Sequence, residues 1–336
     1  MRLSEPAGVL DRMGRIGYGA ANLGNLHREL TDDEAWAVLD AAWDSGVRAF
    51  DTAPHYGLGL SERRLGAFLR AKPRDEYVLS TKVGRLLRVN PDDDGSLDLD
   101  NDFHVPAALR RVWDFSGEGI RTSLEESLER LGLDRVDILY LHDPERHDLD
   151  LAVAQALPAL VELRESGVVS AVGVGTMTTA AIEAVTAAAA LDLVMIAGRY
   201  TLLEQPAASV LPEMSRRGTS AVAASVFNSG LLASPRPERD ARYEYGRLPD
   251  ELWDRLVRIA DICDAHQVPL PAAAIQFPLR AAVVRSVVVG GSRPAQVSEN
   301  AARMNEEIPE ALWADLAAAG LIPQEDRVGR EAPATS

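Results

Sequence analysis

Short apolar runs alternate with longer amphipathic stretches along almost the whole chain. The short runs are rich in valine and isoleucine and apolar on both faces, which is typical of strands in a parallel sheet covered by helices. Eight such runs occur, at residues 15–20, 47–50, 77–81, 136–141, 169–174, 193–196, 220–225 and 284–289. Each is followed by a helical pattern. Eight strand–helix units over about 300 residues predict an α/β fold, a single-domain closed (β/α)8 TIM barrel rather than an open sheet.

Several helix boundaries can be placed from local signals. Thr31 and Glu34 have the spacing of a capping box at the start of the first long helix. A later helix is expected to begin at residues 116–117 and to end at Gly132, and another to span residues 250–265. Before the first strand, residues 9–13 suggest a small hairpin.

Two segments interrupt the regular alternation. Residues 84–115 contain a cluster of aspartates and read either as a functional insertion or as an acidic surface loop. Residues 234–249 are rich in proline and arginine. Both are predicted to be long loops of one domain spanning residues 1–330, followed by a flexible tail at residues 331–336.

Four polar side chains stand at or just after successive strand ends, where a barrel of this kind places its active site. Asp51 follows the second strand, Tyr56 lies on the loop after it, Lys82 ends the third strand and His142 ends the fourth. A nearby ammonium favours phenolate, so Lys82 is expected to lower the pKa of Tyr56. Asp51 would hold Lys82, and His142 would orient a substrate oxygen. Tyr56 is thus predicted to exchange a proton with a carbonyl or alcohol oxygen, beside a hydride-carrying cofactor.

Each of these residues alone has an ordinary structural explanation, such as a turn, a packed ring or a surface charge. Their placement at neighbouring strand ends makes the catalytic interpretation stronger. His55, next to Tyr56, is expected to contact substrate or to be structural, and Asp143 to set the turn after His142. His104, His147 and His266 are interpreted as loop or surface residues.

Composition narrows the function classes. The formal net charge of −16 disfavours nucleic acid and anionic membranes as partners. The single cysteine, Cys263, can form no intramolecular disulfide and is expected to be a buried structural thiol. No apolar run reaches the length of a membrane span, the first residues do not resemble a signal peptide, and no spacing suggests a metal site. A cytoplasmic location is expected, and the oligomeric state is left open.

The region after the first strand contains glycines without the spacing of a Rossmann fingerprint. Residues 17–24 read Gly-Tyr-Gly-Ala-Ala-Asn-Leu-Gly, which argues against a Rossmann dinucleotide site.

The chain resembles the aldo-keto reductases in residues 50–57, 80–83, 127–132, 136–142 and 290–300. The resemblance implies a (β/α)8 barrel, an extended NAD(P) across the strand ends, and a catalytic tetrad of Asp51, Tyr56, Lys82 and His142. The implied cofactor contacts are Gly19, Ala20, Asp51, Thr176, Tyr200, Phe227, Asn228, Ser229, Gly230, Leu232, Gly290, Ser292, Arg293, Gln296, Glu299 and Asn300. The expected substrate contacts are His55, Trp113 and Phe227.

Departures from the family pattern point to one branch. Gly175 and Thr176 stand where many members have Ser-Asn, Ala197 where many have glutamine, and Ala224 where a tyrosine often stacks on the nicotinamide. These departures resemble the sugar and pyridoxal dehydrogenases of the family, whose substrates are cyclic hemiacetals that are oxidised to lactones. Tyr56 would then be the general base.

Cofactor choice depends on the helix after the eighth strand, whose amino end favours phosphate. Gln296 stands where NADP-dependent relatives carry arginine, which favours NAD, although Arg293 is close enough in sequence to turn toward a phosphate. Three alternatives stay open: a general NADPH-dependent aldehyde or ketone reductase, a nicotinamide-binding regulatory subunit, and an aldolase that forms a Schiff base at Lys82.

Overall fold

A computed structural model of the protein describes residues 6–239, 242–243 and 246–324. The strands are β1 (Ile16–Gly19), β2 (Ala49–Asp51), β3 (Val78–Val83), β4 (Arg85–Val89), β5 (Leu109–Trp113), β6 (Ile138–His142), β7 (Ala171–Thr176), β8 (Leu193–Ala197), β9 (Ser220–Ala224), β10 (Arg242–Tyr243), β11 (Gly246–Arg247) and β12 (Val284–Val289). Eight of them close a parallel barrel in the order β1–β12–β9–β8–β7–β6–β3–β2. The predicted (β/α)8 barrel is therefore confirmed.

Helices cover the outside of the barrel. They are α1 (Pro6–Arg12), α2 (Asp32–Asp44), α3 (Leu60–Leu69), α4 (Gly117–Leu131), α5 (Leu149–Leu151), α6 (Leu157–Glu165), α7 (Thr179–Ala188), α8 (Leu211–Arg216), α9 (Asp250–Ala265), α10 (Leu270–Gln276), α11 (Pro294–Arg303) and α12 (Glu310–Ala318). A π-helical turn at Ala152–Ala156 joins α5 to α6. The main hydrophobic core lies between these helices and the barrel strands.

Local signals placed several boundaries correctly. At the start of α2, Thr31 accepts a hydrogen bond from the Glu34 amide at 3.1 Å, and the Glu34 carboxylate accepts one from the Thr31 amide at 2.7 Å. Ser116 caps α4, which ends at Gly132 in the left-handed conformation. The capping box and both ends of α4 are confirmed.

The hairpin expected around residues 9–13 is wrong, because this segment forms helix α1 and the turn that ends it. Val9 and Met13 are four residues apart, so they lie on one helix face, and both are buried. They belong to the same apolar cluster as Ala49, Val78 and Ile138 near the amino ends of the barrel strands. Helix α1 therefore closes the amino-terminal end of the barrel.

The insertion at residues 84–115 is more regular than a loop. Strands β4 and β5 pair antiparallel, with Arg85 opposite Trp113 and Val89 opposite Leu109. Residues 91–97, near the tip of the hairpin, are exposed, as expected for an acidic surface loop. Further along, Phe103 pairs with Leu26 in an isolated bridge and is buried. The insertion thus combines an exposed tip with a base packed on the barrel mouth.

The segment at residues 234–249 includes the short antiparallel pair β10–β11. Residues 240–241 and 244–245 of this predicted loop lie outside the described residues, as does the predicted tail at 331–336. Among the described residues, no helix combines the length and apolarity needed to cross a lipid bilayer.

Two loops meet backbone to backbone beside the barrel mouth. A Cβ at Gly24 would lie 2.6 Å from the carbonyl carbon of Tyr56, and one at Gly57 would lie 2.2 Å from the Gly24 oxygen. Real Cβ atoms do not approach backbone this closely, so glycine is required at the contact. The loop that carries Tyr56 therefore packs directly, backbone against backbone, on the turn after β1.

We expect Gly24→Ala to destabilise the protein by roughly 1–3 kcal/mol, because the added methyl must displace the backbone at Tyr56. Denaturant unfolding measures the change. Gly8→Ala is the matched control: its Cβ meets open space within α1, so we expect a gain of about 0.5–1 kcal/mol. Wild-type stability of Gly24→Ala would contradict the close contact.

Candidate active site

The strand ends meet as the sequence predicts. Asp51 and His142 end β2 and β6, and Lys82 is the last residue but one of β3; these three strands are consecutive neighbours in the barrel. Tyr56 follows β2 on the turn fixed by Gly24. The four side chains therefore lie together at the carboxyl-terminal mouth of the barrel.

Lys82 is the centre of this group. Its ammonium donates to Asp51 Oδ2 at 2.5 Å, to the Tyr56 hydroxyl at 2.9 Å and to the Thr52 carbonyl at 3.1 Å. Ser80 Oγ donates to the second oxygen of Asp51 at 2.7 Å. Lys82 is 2 % exposed and Asp51 4 %. The pair is thus a buried ion pair whose ammonium has used all three of its N–H donors.

Burial and charge act in opposite directions on the pKa of Lys82. Burial disfavours the ammonium, but Asp51 and Tyr56 outweigh this effect, so the pKa of Lys82 is raised. A Schiff base requires the neutral amine, so a lysine held as an ammonium does not suit the aldolase alternative.

Lys82 lowers the pKa of Tyr56, as expected, but the net shift of that pKa is upward. Burial of the phenol raises the pKa, Lys82 opposes that rise only in part, and the negative charge of Asp51 adds to it. Tyr56 is therefore a phenol at neutral pH, with a cation already hydrogen-bonded to its oxygen.

Two histidines, the buried His142 and the half-buried His55, lie beside Tyr56. The His142 ring lies edge-to-face against the Tyr56 ring at 5.7 Å between centroids, and the His55 ring lies 5.5 Å from that of His142. Burial lowers the pKa of both imidazoles well below 6.5, and the positive charge of Arg85 lowers it further. Both rings are therefore neutral, and each can donate one hydrogen bond and accept another.

The insertion supports the Tyr56 loop from outside. Arg111 donates to the His55 carbonyl at 2.7 Å and forms a two-pronged pair with the Asp98 carboxylate at 2.6 and 2.9 Å. The Phe103 ring lies 5.4 Å from that of His55 and 6.3 Å from that of Tyr56. The sequence offers no local signal for these contacts, since they join residues about 50 positions apart.

Trp113 and Asp143 lie around Arg85. The Arg85 guanidinium carbon is 4.3 Å from the centre of the Trp113 ring, and His147 stacks on that ring at 5.3 Å. Arg85 also donates to the Asp143 carboxylate at 2.7 Å. Asp143 adopts a left-handed turn, as predicted, and His147 is exposed but stacked. Substrate contacts by Trp113 and His55 stay predictions.

The turn after β12 lies in close contact with residues that follow β1. The Tyr18 hydroxyl donates to the Gly291 carbonyl at 2.9 Å, and Arg28 donates to the Ser292 carbonyl at 2.8 Å. The Ser292 amide donates to Gln296 Oε1 at 3.0 Å. A Cβ at Gly290 would lie 2.8 Å from Asn22 Oδ1. This turn leads into α11 at Pro294. The hydrogen bond from Arg28 to the turn was not predicted from the sequence.

The loop after β9 contains a run of unusual backbone conformations. Ser225, Asn228, Ser229 and Gly230 have φ values of 55°, 46°, 58° and 95°. Asn228 is buried, and its Oδ1 has no hydrogen-bond partner among the described residues. Strained backbone of this kind recurs at ligand-binding sites, and turn amides in such conformations form anion-binding concavities.

Thr176 is held by a residue that the sequence did not single out. Its hydroxyl donates to Glu145 Oε1 at 2.6 Å, and the Met177 amide donates to the same oxygen at 2.8 Å. Glu145 Oε2 is buried without a partner among the described residues. Tyr200, in contrast, packs against Phe277 at 5.4 Å in the outer core, so its predicted cofactor contact stays a prediction.

The remaining predicted residues are distributed around the mouth and on α11. Gly19 ends β1 and Ala20 begins the following turn. Glu299 forms an ion pair with Arg303. The side chain of Leu232 is fully buried. Roles of Phe227, Arg293 and Asn300 are likewise still predictions.

Among the described residues, none suits thiol chemistry or metal binding. Burial raises the pKa of Cys263 to about 12, in line with an inert structural thiol. Within residues 6–239, 242–243 and 246–324, no group of three histidine, cysteine or acidic side chains could hold a metal ion.

The sequence pattern of the Aldo/keto reductase family matches residues 15–320. The chain is 67% identical to a D-threo-aldose 1-dehydrogenase from a Pseudomonas species, over 96% of this chain and 99% of that protein. It is 39% identical to pyridoxal 4-dehydrogenase from Microbacterium luteolum, over 91% and 94% of the two chains, and 30% identical to L-galactose dehydrogenase from Arabidopsis thaliana, over 88% and 85%.

Solved structures show the same fold. An aldo-keto reductase from Bacillus halodurans in its holo form aligns with a TM-score of 0.73 at 24% identity, covering 90% of this chain and 91% of that one. The glycerol dehydrogenase of Gluconobacter oxydans aligns with a TM-score of 0.71 at 21% identity, covering 94% of each chain.

The chain therefore belongs to the aldo/keto reductase family. It is an oxidoreductase that uses a nicotinamide cofactor, NAD or NADP. The mouth of the barrel fits such a cofactor, because the unpartnered oxygens of Glu145 and Asn228 and the close turn at Gly290 are features that a polar ligand can complete.

The neutral histidines make stability depend on pH. The unfolded chain binds their protons near pH 6.5, whereas the folded state resists protonation, so the unfolded state binds more protons below that pH. We expect the free energy of unfolding to fall between pH 6.5 and 5.5, with a limiting slope of about 1.4 kcal/mol per pH unit for each histidine.

Denaturant unfolding at successive pH values measures this slope. His55→Asn should make it shallower. An equal slope in wild type and His55→Asn would contradict a neutral His55.

Proposed function

We propose that the protein is an NAD(P)-dependent dehydrogenase that oxidises the hemiacetal carbon of a cyclic sugar or pyridoxal-like substrate, giving a lactone. The observation that carries the proposal is the Lys82 ammonium, bonded at once to Asp51 and to the Tyr56 hydroxyl. Relatives named as a D-threo-aldose 1-dehydrogenase, a pyridoxal 4-dehydrogenase and an L-galactose dehydrogenase, at 67%, 39% and 30% identity, support this substrate class.

Tyr56 is the proton-transfer residue in this proposal. In the oxidation direction the reactive form of Tyr56 is the phenolate, which forms when the phenol gives its proton to solvent and which Lys82 stabilises through a charge-assisted hydrogen bond. The phenolate then takes the proton of the hemiacetal hydroxyl and becomes the phenol again. Neutral His142 donates a hydrogen bond to the substrate oxygen and fixes its position. The bound nicotinamide supplies the acceptor for the hydride that leaves the substrate carbon. The same residues act in reverse for a carbonyl substrate, with Tyr56 as the acid.

Asp51 acts through Lys82. Its carboxylate keeps the buried lysine charged and immobile, and Ser80 fixes that carboxylate in turn. Asp51 is thus a positioning residue in this scheme rather than a nucleophile or a metal ligand.

The proposal predicts a defined substrate profile. L-fucose, D-arabinose, L-galactose and pyridoxal are offered with NAD or NADP, and reduction of the cofactor and formation of lactone are measured. At least one of the four should be oxidised. If none is oxidised while simple aldehydes consume NADPH, the protein is a general carbonyl reductase instead.

In the same assay we expect Tyr56→Phe to lower kcat by about 10²- to 10⁴-fold, because general acid–base catalysis contributes that much. The cofactor Kd, followed by quenching of protein fluorescence, should stay within about twofold, since the variant removes one oxygen atom. Tyr140→Phe is the matched control. Its hydroxyl is buried in β6 without a partner among the described residues, and its loss should leave kcat unchanged. A fully active Tyr56→Phe would instead support the regulatory-subunit alternative.

We also propose NAD as the preferred cofactor. Gln296 is neutral and folds back onto the Ser292 amide, and Arg28, which reaches the Ser292 carbonyl, is paired with Glu34 at 3.4 Å. The two side chains that bond to Ser292 therefore bring no uncompensated positive charge to a 2′-phosphate, which leaves the exposed Arg293, next along the chain, as the cation that it could meet.

Gln296→Arg should improve the affinity for NADP relative to NAD by about tenfold, because an arginine can bind the phosphate with two hydrogen bonds. Equilibrium titrations with each cofactor measure the ratio. Ala302→Arg adds the same charge on the exposed side of α11 and should leave the ratio unchanged. A wild type that already binds NADP more tightly than NAD would overturn the preference.

A further inference from the structure

Arg85 and Asp143 form a second buried ion pair in the site, which the scheme above does not use. The Arg85 Nη2 donates to Asp143 Oδ2 at 2.7 Å, and that oxygen lies 3.6 Å from Nε2 of His142. Arg85 is 4 % exposed, and the side chain of Asp143 is 13 % exposed. A carboxylate therefore stands beside the imidazole nitrogen that faces the reacting oxygen in the proposed function.

The backbone at Asp143 aims the carboxylate at this position. Asp143 has φ 42° and ψ 59°, a left-handed conformation that is unfavourable for residues other than glycine, asparagine and aspartate. Its amide still continues the sheet ladder with a hydrogen bond to the Gly175 carbonyl at 2.8 Å. The turn therefore begins immediately after His142, and the carboxylate folds back beside the imidazole.

Arg85 is fixed just as tightly. Gly84 has φ 100°, and a Cβ there would lie 2.9 Å from the Leu141 side chain, so the chain turns sharply out of β3 and places Arg85 against the end of β6. Trp113 covers the guanidinium and is itself stacked on His147. The Arg85 Nε is buried without an acceptor among the described residues. The pair thus offers a further donor in addition to the carboxylate.

We propose that Asp143, held by Arg85, binds the substrate hydroxyl next to the reacting one and so selects polyhydroxylated hemiacetals over simple aldehydes. This inference rests on the proposed function. Neighbouring hydroxyls of a sugar ring lie about one hydrogen-bond length apart, so two of them can bond at once to His142 Nε2 and Asp143 Oδ2, which are 3.6 Å from each other. A substrate without that hydroxyl would leave the partly buried Asp143 carboxylate one hydrogen bond short, the kind of loss that gives strong discrimination.

The test compares D-arabinose with 2-deoxy-D-ribose, which is D-arabinose without the hydroxyl on carbon 2. Wild type should oxidise D-arabinose with a kcat/KM at least about tenfold higher, mainly through a lower KM. In Asp143→Asn this ratio should fall toward one, because the neutral amide binds the hydroxyl more weakly. Asparagine tolerates the left-handed turn, so the backbone is retained.

Three further measurements make the result specific. The cofactor Kd should stay within about threefold in Asp143→Asn. Arg85→Lys, which keeps the charge but loses the planar fork, should lower the ratio by an intermediate amount. Asp150→Asn, the same change at an exposed position, should leave the ratio unchanged.

Each outcome separates the two proposals. If wild type does not distinguish the two sugars, or if Asp143→Asn slows both sugars equally and keeps the ratio, Asp143 only joins β6 to the hairpin and the inference is overturned while the dehydrogenase stands. If wild type oxidises no aldose and no pyridoxal, the proposed function fails on its own kinetics, and the inference fails with it.

Discussion

The buried ion pair between Lys82 and Asp51 is the constraint on which the rest of the site depends. Removing two charges from water is expensive, and breaking such a pair by losing one partner typically costs 3–5 kcal/mol. The structure compensates with a full set of acceptors around the ammonium and with Ser80 on the carboxylate. Because Tyr56 is one of those acceptors, the position of its hydroxyl follows from the pair. The positive charge of Lys82 also helps to keep the neighbouring histidines neutral.

The regular parts of the fold could be predicted because their signals are local. Helix Asp250–Ala265 and strand Val284–Val289 coincide with their predicted limits, since caps, prolines and apolar periodicity lie within each element. Helix α1 was misjudged because seven residues carry too little periodicity to separate a helix from a hairpin. The four candidate residues could be brought together from sequence because Asp51, Lys82 and His142 lie at neighbouring strand ends and Tyr56 lies on the loop after one of them, positions that barrel topology alone brings together.

Other features of the site depend on distant partners and could not be predicted. Arg111 reaches the His55 carbonyl, and Glu145 takes the hydroxyl of Thr176, across 56 and 31 positions respectively. The direction of the pKa shift at Tyr56 depends on how completely the phenol is enclosed, which residue types do not reveal. Sequence reasoning therefore placed the four candidate residues together but did not predict the surrounding residues that set their charge states and orientation.

Helix α1 leaves the barrel open at its carboxyl-terminal end only. With Val9 and Met13 filling the amino-terminal end, the described residues leave the reacting groups accessible only from the opposite end. Substrate, product and the proton released from Tyr56 must then all pass through the carboxyl-terminal mouth of the barrel. In the proposed oxidation, the proton therefore leaves through the same mouth as the product, so that the two share one path to solvent.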